Sequence, residues 1–237
     1  MKAVILAAGM GTRLRPVIGE NQKTMVKYSE KPLLHRTMDV LKDKGITEVV
    51  IVVNYMKEQI MEYFGDGYEM GMKIEYVVQQ NPKGGTADAV RCARHKIDDD
   101  KFVLIYGDNV FHPGILDSIL EKAGHFDGVL CGKMVENPSK FGIMQVDGLH
   151  VKKIMEKPEI PPSNLAMTGL FVLPKEIFDA IDETGLSPRG EYELTDSIQI
   201  MIHGGTKFGF VITEGFWIDP RDQDEIKMAD VFLQKIN

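Results

Sequence analysis

Cysteine is nearly missing from this chain: Cys92 and Cys131 are the only two in 237 residues. Neither stands in a metal-type spacing, and the six histidines show none either, so no Cys/His metal site is read. So few thiols fit a reducing, cytoplasmic setting. Long apolar runs are missing too, and none reaches the roughly 20 residues of a membrane span. The opening run, residues 3–8, is too short for a secretory core, and glycine and arginine follow it where a cleavage site would stand. A basic excess is also lacking: 28 Lys and Arg face 35 Asp and Glu, for a net charge of −7. That argues against nucleic acid as the main partner, whereas a nucleotide needs only a local cationic pocket. There is no low-complexity tract, charge block or solenoid-length repeat.

What is present is an ordinary globular composition, 43% hydrophobic and 27% charged. A chain of this length buries roughly 70–75% of its unfolded surface, enough for a full core without staples. Apolar runs at residues 2–8, 48–54, 74–78 and 102–106 predict buried parallel strands. Helices are predicted at 33–43, 57–64, 86–97 and 115–123, and the alternation implies right-handed crossovers. Further on the pattern changes to strands with short turns, at 128–135, 141–146, 151–155 and 166–173. Helices at 175–181, 194–202 and 223–236 follow, with a long strand or strand pair in 208–218. The expected fold is α/β: a Rossmann-like mixed, mostly parallel sheet flanked by helices, with a small antiparallel lobe. No Pro/Gly/Ser linker divides it, so one domain over residues 1–237 is expected.

The first strand runs into Gly9-Met10-Gly11-Thr12-Arg13-Leu14-Arg15-Pro16, with Lys23 beyond. Glycines let backbone N–H groups approach a ligand closely, and consecutive N–H groups form an anion-binding concavity. Arg13, Arg15 and Lys23 add charge suited to phosphate. Neither familiar phosphate fingerprint fits: Leu14 replaces the third glycine of one, and Leu14-Arg15 replaces the Gly-Lys of the other. The loop reads as irregular until a strand-like stretch at 25–28, and long loops in compact domains are commonly functional.

Two more loaded segments fall at carboxyl ends of the predicted parallel strands, where such sheets bind ligands. One is Gln80 to Thr86, where a planar amide can read a base edge and a glycine pair allows close approach; Thr86 as a plain N-cap is the simpler reading. The other is Gly107-Asp108-Asn109. Magnesium prefers one or two carboxylates with substrate phosphate oxygens, and Asp108 and Asp219 both end apolar strands. Each also reads as a turn or cap, with Asp222 and Asp224 rival caps for the last helix. Glu156-Lys157 ends a hairpin strand; Lys157 could hold a phosphate and Glu156 sugar hydroxyls, although such a pair alone is usually solvated surface. Glu191, Thr195 and Asp196 read as a helix start, and His35 as a packing or surface residue.

These segments, in this order, resemble the sugar-1-phosphate nucleotidyltransferases over nearly the whole chain. The runs Pro161-Pro162-Ser163-Asn164-Leu165-Ala166 and Glu193 to Gln199 look closest to the glucose-1-phosphate thymidylyltransferases among them. The resemblance implies transfer of a nucleotidyl group from dTTP or UTP to a sugar-1-phosphate, glucose-1-phosphate foremost, with Mg²⁺ as cofactor. It implies catalytic roles for Arg13, Lys23 and Lys157, and nucleotide contacts from Leu6, Ala8, Gly9, Gly11, Thr12, Arg13, Gln80, Gly85 and Thr86. Sugar-phosphate contacts fall to Asp108, Gly142, Glu156, Lys157 and Gly169, and metal ligation to Asp108 and Asp219. A nucleotide-binding half, about 1–125, and a sugar-phosphate half, about 126–237, follow, without a C-terminal β-helix. Relatives are commonly homo-oligomers. Two departures stand out: Gln22 precedes Lys23 where Pro or Ser is commoner, and Pro220-Arg221-Asp222-Gln223 replaces a run of small residues after Asp219. Other readings are a guanylyl- or cytidylyltransferase, including one acting on phosphocholine, and a non-catalytic nucleotide-sugar-binding subunit.

Overall fold

In the computed structural model, which describes residues 1–81 and 83–236, strand and helix alternate through the first half. Pro82, inside the predicted base-binding stretch, and Asn237 lie outside the described residues. Strand β1 (Ala3–Ala7) leads through a helical turn, α1 (Arg15–Ile18), to a ribbon of β2 (Lys27–Tyr28) and β3 (Lys31–Pro32). Then come α2 (Leu33–Asp43), β4 (Glu48–Val53), α3 (Lys57–Phe64), β5 (Lys73–Val78), α4 (Gly85–Cys92) and β6 (Lys101–Tyr106). Short β7 (Val110–Phe111) and α5 (Gly114–Lys122) precede β8 (Gly128–Met134), β9 (Gly142–Asp147), β10 (His150–Glu156) and β11 (Leu165–Pro174). Next are α6 (Ile177–Glu183), α7 (Leu194–His203), β12 (Phe208–Ile212), β13 (Trp217–Ile218) and α8 (Gln223–Lys235).

Strands β5, β4, β1 and β6 lie side by side in that order, all parallel. Beyond β6, β11 runs antiparallel; its far edge carries β8 and β9, which β12 and β10 extend. The antiparallel part thus grows out of the parallel part as one nine-stranded mixed sheet, as expected. Successive residues feed opposite cores. Val4, Val50, Val52 and Leu104 pack with α4, α6 and α7; Ile5, Val49, Ile51 and Val103 pack with α2, α3 and α5. Burial on both faces is why these strands read as continuous apolar runs. A third cluster, Tyr28, Leu33, Val110, Ala229 and Leu233, seats α8 against β2 and β7.

Several local expectations are revised. The loop after β1 is not irregular throughout: Pro16 stands in the first turn of α1, where its fixed φ suits a helix start. The strand-like stretch at 25–28 shrinks to Lys27–Tyr28, because Lys23–Met25 closes into a 3₁₀ turn. The helix expected at 86–97 ends at Cys92, and a 3₁₀ turn, Arg94–Lys96, directs Arg94 to Asp179 and Asp182 on α6. Thr86 is not the N-cap, a position Gly84 holds; its hydroxyl accepts the Leu194 N–H at 3.0 Å and ties α4 to α7. Residues 208–218 form two strands with different partners, β12 beside β8 and β13 beside β7, because a turn held by Gly215 N–H on Thr213 Oγ1 separates them. Asp222 does cap α8, accepting the Asp224 and Glu225 N–H groups. Among the described residues no helix is long and apolar enough to cross a membrane.

Gly169 sits within β11 at φ +77, and a Cβ there would lie 2.6 Å from Asn109 Nδ2 and 2.7 Å from the Tyr106 ring. Gly148 has φ +55 but nothing within 4 Å. Gly169→Ala should therefore lose about 2–4 kcal/mol of stability, from crowding and backbone strain together. Gly148→Ala should lose only the backbone part, about 1–2 kcal/mol. Urea unfolding of both variants checks this; equal losses would show that the crowding around residue 169 relaxes freely.

Candidate active site

The strand order reverses at β1, which has β4 on one side and β6 on the other. Crevices at the carboxyl ends of such strands are where open α/β sheets take ligands. The loop leaving β1 and the Gly107-Asp108-Asn109 turn leaving β6 meet there, with Gly107 N–H donating to the Leu6 carbonyl at 2.9 Å.

A two-residue ribbon brings the second aspartate to the first. In it β13 pairs antiparallel with β7, Trp217 opposite Phe111 and Ile218 opposite Val110. Asp219 and the Asp108-Asn109 turn therefore leave the same end of the ribbon. The buried carbonyl of Thr168 on β11 fixes both sides: it accepts from Asn109 Nδ2, and from Trp217 Nε1 at 2.8 Å. The Lys23 ammonium lies between the two carboxylates, 2.8 Å from Asp108 Oδ2 and 2.7 Å from Asp219 Oδ1. Burial works against that charge, but the charges of Asp108 and Asp219, then the hydrogen bonds to them, outweigh it and hold the lysine above its ordinary pKa.

Gln22 explains why Lys23 points inward. This amide is buried: Nε2 donates to Ala7 O at the end of β1 at 2.7 Å, while Oε1 accepts from the Thr24 N–H and hydroxyl. It caps the 3₁₀ turn that starts at Lys23 and pins it to β1. The departure after Asp219 is equally well accommodated. Arg221 Nε donates to Asp219 Oδ2 at 3.2 Å, its guanidinium lies 4.6 Å from the Phe141 ring centroid, and Asp219 still faces Lys23.

Three cavities meet at Asp108. One, of about 270 Å³, is lined by Leu6, Gly9, Gly11, Thr12, Arg13, Gln22, Lys23, Asp108, Asp219 and Arg221 among others. A second, of about 220 Å³, takes in Leu6, Ala8, Gly9, Gln79, Lys83, Gly85, Thr86, Tyr106, Asp108 and Glu191. The third, of about 180 Å³, is lined by Gly142, Glu156, Lys157, Gly169, Glu191, Glu193, Thr195, Asp108, Asp219 and Arg221 among others. Asp108, Asp219 and Arg221 line both the first and the third.

Nearly every residue expected at the site is thus brought to one crevice. Gln80 is the exception: it is exposed and lines none of the three cavities, while Gln79 is buried and donates to Asp88 Oδ2 and Gly85 O. Gly85 has φ +86, and a Cβ there would meet the Tyr192 carbonyl at 2.5 Å, so packing alone requires glycine. Lys157 is held at φ +38, a left-handed conformation costly for a lysine, and its ammonium pairs with Glu156 at 2.9 Å. Glu156 also accepts from Thr195 Oγ1 at 3.2 Å and pairs with Arg189 at 3.3 Å. Of Glu191, Thr195 and Asp196, read from sequence as a helix start, Glu191 and Thr195 line the third cavity together with Glu193, the residue just before α7. Burial first, then the Glu156 charge, raises the Glu193 pKa. Sequence reasoning also missed Gln22 and Arg221 as site components, although both were visible as departures from the expected pattern.

The nucleotidyl transferase family profile matches residues 2–230. The chain is 38% identical to the low-salt glycan biosynthesis nucleotidyltransferase Agl11 of Haloferax volcanii, over 97% of this chain and 65% of Agl11. It is 36% identical to the UTP–glucose-1-phosphate uridylyltransferase AglF of the same organism, over 95% of this chain and 94% of AglF. It therefore spans just under two thirds of the one relative and nearly all of the other. A crystal structure from Bacillus anthracis, solved in complex with a sucrose and assigned as a glucose-1-phosphate thymidylyltransferase, superposes with a TM-score of 0.89 at 28% identity. That match covers 100% of this chain and 96% of the other. The chain belongs to the nucleotidyl transferase family.

Proposed function

We propose that this protein transfers a nucleotidyl group from dTTP or UTP to a hexose-1-phosphate, glucose-1-phosphate foremost, releasing pyrophosphate. One observation carries the reading: a glycine-loop cavity and a Glu156-Lys157 cavity share the two carboxylates at their junction. A two-substrate transfer needs such a meeting point. The names of AglF and of the Bacillus anthracis protein support a pyrimidine triphosphate and glucose-1-phosphate.

The triphosphate lies over Gly9 to Arg13. A Cβ on Gly9 would find nothing within 4 Å, so the glycine leaves that space open for phosphate. Gly11 and Thr12 line the same cradle, and Arg13 and Lys23 neutralise the β- and γ-phosphates and the departing pyrophosphate. The nucleoside occupies the cavity of Leu6, Ala8, Gly85 and Thr86, and Gln80, exposed just past β5 and outside that cavity, has to turn inward to read the base. Lys157 positions the sugar phosphate, Glu156 accepts sugar hydroxyls, and Gly142 and Gly169 line the same cavity, both glycines that neighbouring side chains already require. The phosphate oxygen of the sugar then attacks the α-phosphorus in line as pyrophosphate leaves. The protein contributes alignment and charge neutralisation rather than covalent chemistry.

Asp108 and Asp219 are the Mg²⁺ ligands in this reading. Their oxygens converge on one point, now marked by Lys23 Nζ, and Mg²⁺ takes one or two carboxylates with phosphate and water completing its shell. Held there, the ion would offset the negative charge that builds on the α-phosphate. Lys23 must leave the carboxylates for the triphosphate, and the incoming phosphate oxygens compete for its ammonium.

Pyrophosphate release should occur with dTTP or UTP plus glucose-1-phosphate and require Mg²⁺. Pairings of GTP or CTP with mannose-1-phosphate or phosphocholine should stay silent, and a stronger signal there would replace this assignment. Asp108→Asn should lower kcat by about a thousandfold, the scale of one removed electrostatic contact in a transition state. Its thermal midpoint should fall by only about 2–4 °C, because the group is part-exposed and the shape is kept. Near-normal turnover would sink the metal assignment. Lys23→Met should bind Mn²⁺ at least about tenfold more tightly without nucleotide, as followed by electron paramagnetic resonance, since the ammonium no longer competes for both carboxylates. Unchanged Mn²⁺ affinity would show that Lys23 does not guard them.

A further inference from the structure

Arg221 is built like a phosphate clamp, and nothing among the described residues uses its working end. Its Nε donates to Asp219 Oδ2 at 3.2 Å, and its backbone N–H donates to Glu225 Oε2 at 2.6 Å. The guanidinium plane rests 4.6 Å from the centre of the Phe141 ring. Its two terminal nitrogens have no hydrogen-bond partner among the described residues. A planar fork held along one edge and one face presents the remaining donors in a fixed direction, the geometry that suits bidentate phosphate binding.

Its place in the crevice indicates which phosphate. Arg221 lines both the glycine-loop cavity and the Glu156-Lys157 cavity. The glycine-loop side already holds Arg13 and Lys23. The other side is rich in carboxylates; of its two lysines, Lys140 and Lys157, the latter is engaged by Glu156 at 2.9 Å. A sugar phosphate, carrying close to two negative charges, needs further cationic help there. Phe141 registers the two cations against each other: its ring supports Arg221, and its carbonyl accepts the Lys157 N–H at 3.0 Å.

We propose that Arg221 is a second sugar-phosphate-binding residue, which grips the phosphate of the incoming hexose-1-phosphate opposite Lys157 and keeps hold of it as the β-phosphate of the product. The assignment rests on the transfer reaction proposed above. It makes Arg221 a determinant of affinity for the sugar partner and leaves the nucleoside triphosphate to the glycine loop.

The test is isothermal titration of the full chain with UDP-glucose and with UMP, joined to steady-state kinetics. Arg221→Ala should weaken UDP-glucose at least tenfold and leave UMP within twofold. The KM for glucose-1-phosphate should rise about as much, with the KM for UTP within twofold. Arg221→Lys keeps the charge without the fork and should fall between, weakening UDP-glucose threefold or more with UMP unchanged. It carries the test if the alanine variant does not fold. Unchanged UDP-glucose binding in both variants overturns the proposal, and so does an equal loss for UMP and UDP-glucose, which would mean that Arg221 acts by supporting Asp219. Wild-type protein that binds neither UDP-glucose nor dTDP-glucose, titrated in parallel, overturns the transfer reading and this proposal together; wild-type binding with indifferent variants overturns this proposal alone.

Discussion

The crevice depends on one ammonium between two carboxylates. Lys23, Asp108 and Asp219 come from three separate segments, with Lys23 standing 85 residues from one partner and 196 from the other. Like charges a few ångströms apart in a partly dry crevice repel by several kcal/mol. Asp108 and Asp219 can be held facing one another without substrate because Lys23 satisfies both. On the proposed function the same arrangement would make the site responsive, since a triphosphate that draws the ammonium away would expose two carboxylates to a cation. Assembly of the resting site and recruitment of the reacting groups would then both follow from a single ion triad.

The frame around the triad is made of neutral hydrogen bonds that leave its charges free. Gln22 spends its whole amide on Ala7 and Thr24 and so aims the turn bearing Lys23. The Thr168 carbonyl receives Asn109 and Trp217 and so ties the two aspartate-bearing segments to the long strand β11. Gly169 follows at once, in a conformation and a space that admit no side chain. Each tie is buried, where a lost partner leaves an unsatisfied polar group costing about 1–3 kcal/mol. Buried polar ties and a crowded glycine around a charged centre therefore act on geometry first and on substrate second.

Legibility in the sequence followed the length of the physical signal. Strands buried on both faces, such as Val49–Val53 within β4, carry enough consecutive apolar residues to be read directly. Amphipathic α2 was equally plain, whereas three aspartates competed for the cap of α8, of which Asp222 takes it. The β7–β13 ribbon was not, because two residues per strand have no period to detect, although this ribbon delivers Asp219 to Asp108. The early end of α4 was hidden for a related reason: Arg94 turns toward two aspartates on α6, a tertiary contact that local propensity does not contain. In the site, the glycine loop and the aspartates stood out by residue type. Glu193 and Thr195 did not, because a helix start already accounts for such residues, and only the packing of α7 against the sheet turns them toward the crevice.

The Glu156-Lys157 cavity poses an electrostatic puzzle for the proposed transfer, since the space assigned to an anionic sugar phosphate is lined by Glu156, Glu191 and Glu193. Neutral sugar hydroxyls resolve part of it, because they donate to carboxylates better than to any neutral acceptor. Compensation within the fold resolves more. Arg189 pairs with all three acids, and Lys157 with Glu156, so little of that negative charge is left unbalanced. Burial and the nearby Glu156 charge also push Glu193 toward its protonated form. On the proposed transfer reading, the acids sit beside the sugar ring, and Lys157 and Arg221 flank its phosphate. A hexose-1-phosphate is itself divided this way, a neutral polar ring bearing an anionic end. On that reading the division of charge in the cavity would select for both ends at once, which neither a free sugar nor inorganic phosphate can satisfy alone.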